Sequence, residues 1–255
     1  MSEHLLKSLG PLRSSIKLTL HTHHAVRVWQ GRPADENKPA IIGFAGFVRL
    51  MNRMKLGAAQ DDPYSDFWMI RMQEKLESSK ADLTMVRRNL DQLMSLIPEA
   101  LSVSKTLNTE PVKVPVFINS PFGFLALYLI VAYDNFVRQA QQCHYVALMS
   151  RRDMEHWINS GGRVLRSLFG FAQQYKFSGA TRADFAAGND VARQAQERFG
   201  TLPLDVLEGT RRSEFAPAIM RSQVQGREGI GEGVGASSAP VSAGAVPRVS
   251  ESQED

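Results

Sequence analysis

Apolar and polar residues alternate strictly from Ile16 to Leu20, the period of a half-buried β-strand. Ile16, Leu18 and Leu20 face a core in this reading, and Lys17, Thr19 and His21 face away from it. The strand is expected over about 14–22. Its backbone amides and carbonyls need a partner, supplied either within the chain or by a second copy. The rest of the chain reads mainly at the helical period. Thr22 is placed to cap a short helix ending at Gln30, with Val26 and Trp29 three apart on one side. Residues 32–40 are polar, contain two prolines and read as a loop. A second helix is expected over 41–56, with Ile42, Phe47, Leu50 and Met54 on its apolar side and Arg49, Arg53 and Lys55 on a basic one.

The longest helical pattern covers 62–97, capped by Asp62 with Pro63 at its first position. Met69, Met72, Leu76, Leu83, Val86, Leu90, Leu93 and Ile97 follow an alternating three-four spacing that only Ser79 interrupts. That is a coiled-coil seam. It fits an antiparallel helix pair inside one molecule, or a dimer contact through Met72, Leu76, Leu83 and Leu90. Residues 112–118 form a second strand candidate, with Pro115 confining it to an edge. Ser120-Pro121 opens a strongly apolar helix to about Ala140. Ser150 and Asp153 start a helix reaching Tyr175, with a kink or break expected at Gly161-Gly162. Thr181 and Asp184 start another, ending at Gly200. Beyond 221, Gly, Ser, Ala, Pro and Glu dominate without apolar periodicity, which reads as a disordered tail.

Composition adjusts this picture modestly. At 255 residues and 43% hydrophobic, the chain can bury a core. The net charge is +4, but the tail after Gln223 carries five acids against two arginines, so residues 1–223 hold about +7. That suits a polyanionic partner. A lone cysteine, Cys143, excludes an intrachain disulfide, fits a reducing compartment and reads as a small core residue. The first fifteen residues lack the apolar stretch of a secretion signal, and the longest apolar run is too short to cross a bilayer. A cytoplasmic protein with no membrane association is expected.

Catalytic chemistry finds little footing. His21 and His23 share one face of an extended strand, but two ligands fall short of a stable metal site and His4, His144 and His156 add no motif spacing. Cys143 and His144 are adjacent on a helix and point about a hundred degrees apart. Nucleophile elbow, phosphate-cradling glycine loop and zinc-protease motifs do not occur. No enzyme activity, metal or cofactor is expected.

The constellation at 14–56 points to nucleic acid. If two copies paired their 16–20 strands antiparallel, a ribbon would show Lys17, Thr19 and His21 twice, in the form that enters a major groove. Arg13, Lys38, Arg49 and Arg53 would hold phosphates. The competing arrangement pairs 14–22 with 112–118 inside one chain. A rival ribbon built on 112–118 would present Lys113, Pro115 and Phe117, two of them poor base readers.

Several stretches also resemble a known family. Leu12-Arg13-Ser14-Ser15 leads into Leu20-His21-Thr22-His23-His24, and Ile42-Gly43-Phe44-Ala45-Gly46-Phe47 precedes Met51-Asn52. Phe122-Gly123-Phe124-Leu125-Ala126 and Leu165-Arg166-Ser167-Leu168-Phe169-Gly170 with Gln173-Gln174-Tyr175 follow. Last comes Leu207-Glu208-Gly209-Thr210-Arg211-Arg212-Ser213, ending in Phe215-Ala216-Pro217. Over about 11–220 the chain is similar to integrating-conjugative-element proteins related to the AcaB-type transcriptional regulators of conjugative plasmids, a divergent branch of the ribbon-helix-helix proteins. The resemblance implies a bacterial mobile-element protein that binds double-stranded DNA and regulates transfer genes. The fold expected is mainly α with a short β-ribbon: a divergent ribbon-helix-helix module at 13–56, a helical dimerisation and support region at 57–220, and the tail. Two features depart from a typical module: the loop at 32–40 is long, and the module is a small part of the chain. A homodimer is expected. The alternative of another class is a structural or partner-binding protein of the conjugation or relaxosome apparatus, working with other conjugation proteins.

Overall fold

The partner of the first strand comes from within the chain. In a computed structural model, which describes residues 16–220 apart from 37, 101 and 105, β1 (Ile16–Leu20) and β4 (Val112–Val116) pair antiparallel. Lys17 stands opposite Pro115, and Thr19 opposite Lys113. This corrects the expectation of two copies pairing their 16–20 strands: the ladder is closed by the second strand candidate, which a tether brings to hand without association. Leu18, Leu20 and Val116 are buried beneath the ribbon. The lead-in, Arg13 and the tail beyond 220 lie outside the described residues.

Thr22 caps α1 (His23–Gln30), accepting from the Ala25 N–H at 3.2 Å. The stretch read as a loop contains a small hairpin, β2 (Gly31–Arg32) against β3 (Ile41–Ile42). The hairpin takes Ile41 and Ile42, so α2 (Phe44–Ala59) begins three residues later than the apolar pattern indicated. Gly31 and Gly43 allow the hairpin to close on α1. Gly31 has φ +81°, and a Cβ there would stand 2.4 Å from the Gly43 nitrogen.

Helix α3 (Pro63–Met94) is packed against α4 (Pro121–Tyr145), α2 and α5 (Arg151–Ala172). Met72, Leu76, Leu83 and Leu90 are buried in the core that these helices share. The seam is therefore intramolecular, and the dimer contact expected through these four side chains is corrected: they are covered before a second copy arrives. Helix α4 runs through the centre, burying Ala126, Ile130, Tyr133, Phe136, Val137, Ala140 and Cys143. No break occurs at Gly161-Gly162, where α5 is continuous. The two glycines instead let α5 lie close on α4, since a Cβ at Gly161 would sit 3.0 Å from the Tyr133 ring.

The helix expected from Thr181 to Gly200 is two, α6 (Arg182–Ala187) and α7 (Asp190–Phe199), divided by Gly188 in the left-handed region. A last turn, α8 (Leu204–Leu207), precedes a segment latched onto α3. Asp66, fully buried, accepts from Arg182 at 2.7 Å and from both Nε and Nη2 of Arg212 at 2.9 Å. Residues 16–56 and 57–220 thus share a sheet and a core, and the boundary expected at 56/57 divides neither.

Candidate nucleic-acid interface

The alternation that starts the chain makes a two-faced ribbon. Leu18 and Leu20 anchor one face in the core, while Lys17 and Thr19 are exposed on the other. Lys113 and Pro115 are exposed on the neighbouring strand. The intrachain pairing therefore places Lys113 across from Thr19, and a cation from the strand read as a rival joins the same surface. Sequence reasoning weighed this intrachain pairing against a two-copy ribbon, but read Lys113 only as part of a rival ribbon and not as a neighbour of Thr19.

The end of the ribbon is clamped. The buried Asp134 carboxylate, on α4, accepts from the Thr22 hydroxyl at 2.8 Å, the Thr22 N–H at 2.9 Å and the His21 N–H at 3.2 Å. A carboxylate with several donors replaces the water it loses on burial. His21 has its own attachment: Nδ1 accepts from the Asn108 N–H at 3.2 Å, and the Asn108 side chain donates back to the His21 carbonyl at 3.2 Å. One imidazole nitrogen of this expected base reader is thus engaged within the protein, leaving Nε2.

The expected phosphate contacts fall into separate groups. Arg49 and Arg53 are exposed one turn apart on α2. Arg53 lies near Tyr175, whose hydroxyl burial pushes up to about 12 while the arginine acts in the opposite direction. Lys55 instead donates to the Asn119 carbonyl at 3.4 Å. Lys38 joins neither Arg49 nor the ribbon. It lines a cleft with Arg27, Arg32 and Arg166. These three arginines come from segments more than a hundred residues apart in the extreme, and no local pattern announces their convergence.

Among the described residues no three His, Cys, Asp or Glu side chains gather as metal ligands would, and no helix is long and apolar enough to cross a membrane. Fold and surface define a mostly helical protein with a short β-ribbon exposed on one side and separate cationic faces. A family model described as the transcriptional regulator AcaB matches residues 8–220, and the chain belongs to that family. The chain is also similar in fold to a selenomethionine-containing AcaB from uropathogenic E. coli, known from a crystal structure. The TM-score is 0.51 at 16% identity, over 78% of this chain and 100% of that one. Comparison with curated proteins finds no match.

The stretches that carried the resemblance have structural work in this fold. Arg212 holds Asp66, and the Ser213 hydroxyl donates to Gln73 at 2.7 Å. Phe215 meets Phe122 edge to face at 5.3 Å. Gln173 ties the β2–β3 hairpin to the end of α5, accepting from the Ile42 N–H at 3.1 Å and donating to the Ala40 carbonyl at 3.2 Å.

Proposed function

We propose that the chain is a DNA-binding regulator of conjugative-transfer genes on an integrating conjugative element or plasmid, and that its intrachain β1–β4 ribbon reads the major groove. The observation that carries this reading is the exposed face of Lys17, Thr19 and Lys113 on a ribbon whose other face is locked into the core. An antiparallel two-stranded ribbon is of a size that a major groove admits. An ammonium can donate to guanine acceptors, and the threonine hydroxyl to several base edges. His21 would add only its Nε2 edge. Arg49 and Arg53, with Arg13, would serve phosphates and set affinity rather than sequence preference. Family membership supports the regulatory half of the proposal. A homodimer enters it through some surface other than the 72–90 seam.

The test is an electrophoretic mobility shift with DNA from the element's own transfer promoters. Binding should appear at low salt and weaken steeply as salt rises. Lys113→Ala and Thr19→Ala should relax preference between promoter and unrelated duplex, while Arg49→Ala should weaken both about equally. Absence of any shift at low salt rejects the reading.

A second reading, a protein partner of the transfer apparatus, is favoured by one feature. A groove of about 430 Å³ between α3 and α4 is lined by Leu76, Leu83, Leu125, Leu129 and Phe215, with Tyr128 largely exposed at its edge. Apolar grooves rimmed by polar residues suit partner side chains. Under this reading the promoter DNA gives no shift.

A further inference from the structure

The cleft that holds Lys38 is unlike the ribbon face. It encloses about 620 Å³ between the end of α1, the β2–β3 hairpin and α5. Arg27, Arg32, Lys38 and Arg166 line it together with Val28 and Phe169, and none of its lining residues is acidic. Among the described residues none of these four cations lies within 4.0 Å of a carboxylate. Arg32 and Arg166 are half-buried and Arg27 and Lys38 exposed, and four like charges converging without a counterion among the lining residues repel one another. The Arg32 guanidinium is fixed by a 2.9 Å bond from Nη2 to the Pro39 carbonyl, and its Nε is buried without a partner. The walls are preformed, since the hairpin is paired internally and bonded to Gln173.

We propose that this cleft binds a small phosphorylated molecule, its phosphate among Arg27, Arg32, Lys38 and Arg166 and its less polar body against Val28 and Phe169. The volume is that of a small-ligand pocket. A carboxylate would bring one negative charge and leave most of the cluster uncompensated. A terminal phosphate brings nearly two, and its oxygens match the guanidinium fork. A phosphodiester within a duplex carries one charge and meets side chains on an open surface rather than in a recess. His24, in the first turn of α1 and outside the cleft lining, feels charge from two of these arginines. Burial first, then Arg27, His23 and Arg166, hold its imidazole below the usual range.

Calorimetric titration of the full chain with ATP and with inorganic pyrophosphate tests the proposal. ATP should bind at a single saturable site, about tenfold or more weaker in Arg166→Gln. Arg27→Ala, at an exposed position, should show the same loss and guards against misfolding of the first variant. Binding should also move the His24 imidazole titration upward in NMR, as phosphate offsets the neighbouring arginines. No binding of either probe at millimolar concentration overturns the proposal. So does displacement of ATP by unrelated duplex DNA with an equal loss of DNA affinity in Arg166→Gln, which would assign the cluster to the DNA backbone.

Discussion

Thr22 and Asp134, 112 residues apart, meet at the junction of ribbon and helix, where the carboxylate takes both the N–H and the hydroxyl of the threonine. This contact fixes the angle at which β1 leads into α1, and with it the aim of Lys17 and Thr19. Asp134→Ala leaves buried N–H groups without an acceptor and strands Arg138, whose Nε lies 3.8 Å from the carboxylate. A loss of about 3 kcal/mol in stability is expected. Urea unfolding measures it, and an unchanged midpoint would mean the clamp contributes nothing.

Met72, Leu76, Leu83 and Leu90 stabilise the single chain. Leu83→Ala should cost about 3 kcal/mol through the cavity it leaves. The mass in solution, by light scattering across a concentration series, should not change relative to wild type. A variant that kept its stability but lost self-association would return the seam to a dimer contact.

Two glycines should respond in opposite ways. Gly31→Ala forces a Cβ into the Gly43 backbone at positive φ and should destabilise by about 3 kcal/mol. Gly170, inside α5, has nothing within 4 Å of an added Cβ. Gly170→Ala should stabilise by about 0.5 kcal/mol through a less flexible unfolded chain. Thermal unfolding of the pair provides the comparison.

His24 sets a pH dependence. Its imidazole is held below the usual range by burial and by neighbouring cations, so the unfolded chain binds the proton more readily. Its contribution to stability is complete above the ordinary histidine value of about 6.5 and declines as pH falls below it. His24→Gln should flatten that part of the curve. Unfolding midpoints of wild type and variant should run parallel above about 6.5, and below it wild type should lose stability that the variant keeps.

Local signals in the sequence were legible where the physics is local. The strict alternation at 16–20 located β1, and Thr22, Asp62, Ser120, Ser150 and Thr181 all cap the helices they announce. Cys143 is the buried core residue that its apolar setting indicated. Partner choice was not legible. The same alternation serves β1 whether its mate is a twin or Val112–Val116, and the same three-four spacing serves α3 against another copy or against α4. Gly161-Gly162 looked like a break because glycine weakens a helix, but the Tyr133 ring needs the space that two missing side chains leave. The cationic cleft depends on α1, a hairpin of two-residue strands and α5 meeting, and nothing within any one of them foretells it. Lys38, expected beside the ribbon's phosphates, was drawn there instead.

The central claim is that Thr19 and Lys113, facing each other across two strands of one chain, select a DNA sequence. Selection from a pool of random duplexes tests it whatever the operator is. Wild type should enrich a defined motif, and the folded Thr19→Ala/Lys113→Ala double variant should bind the pool while enriching none. Recovery of the same motif by the double variant would contradict the account.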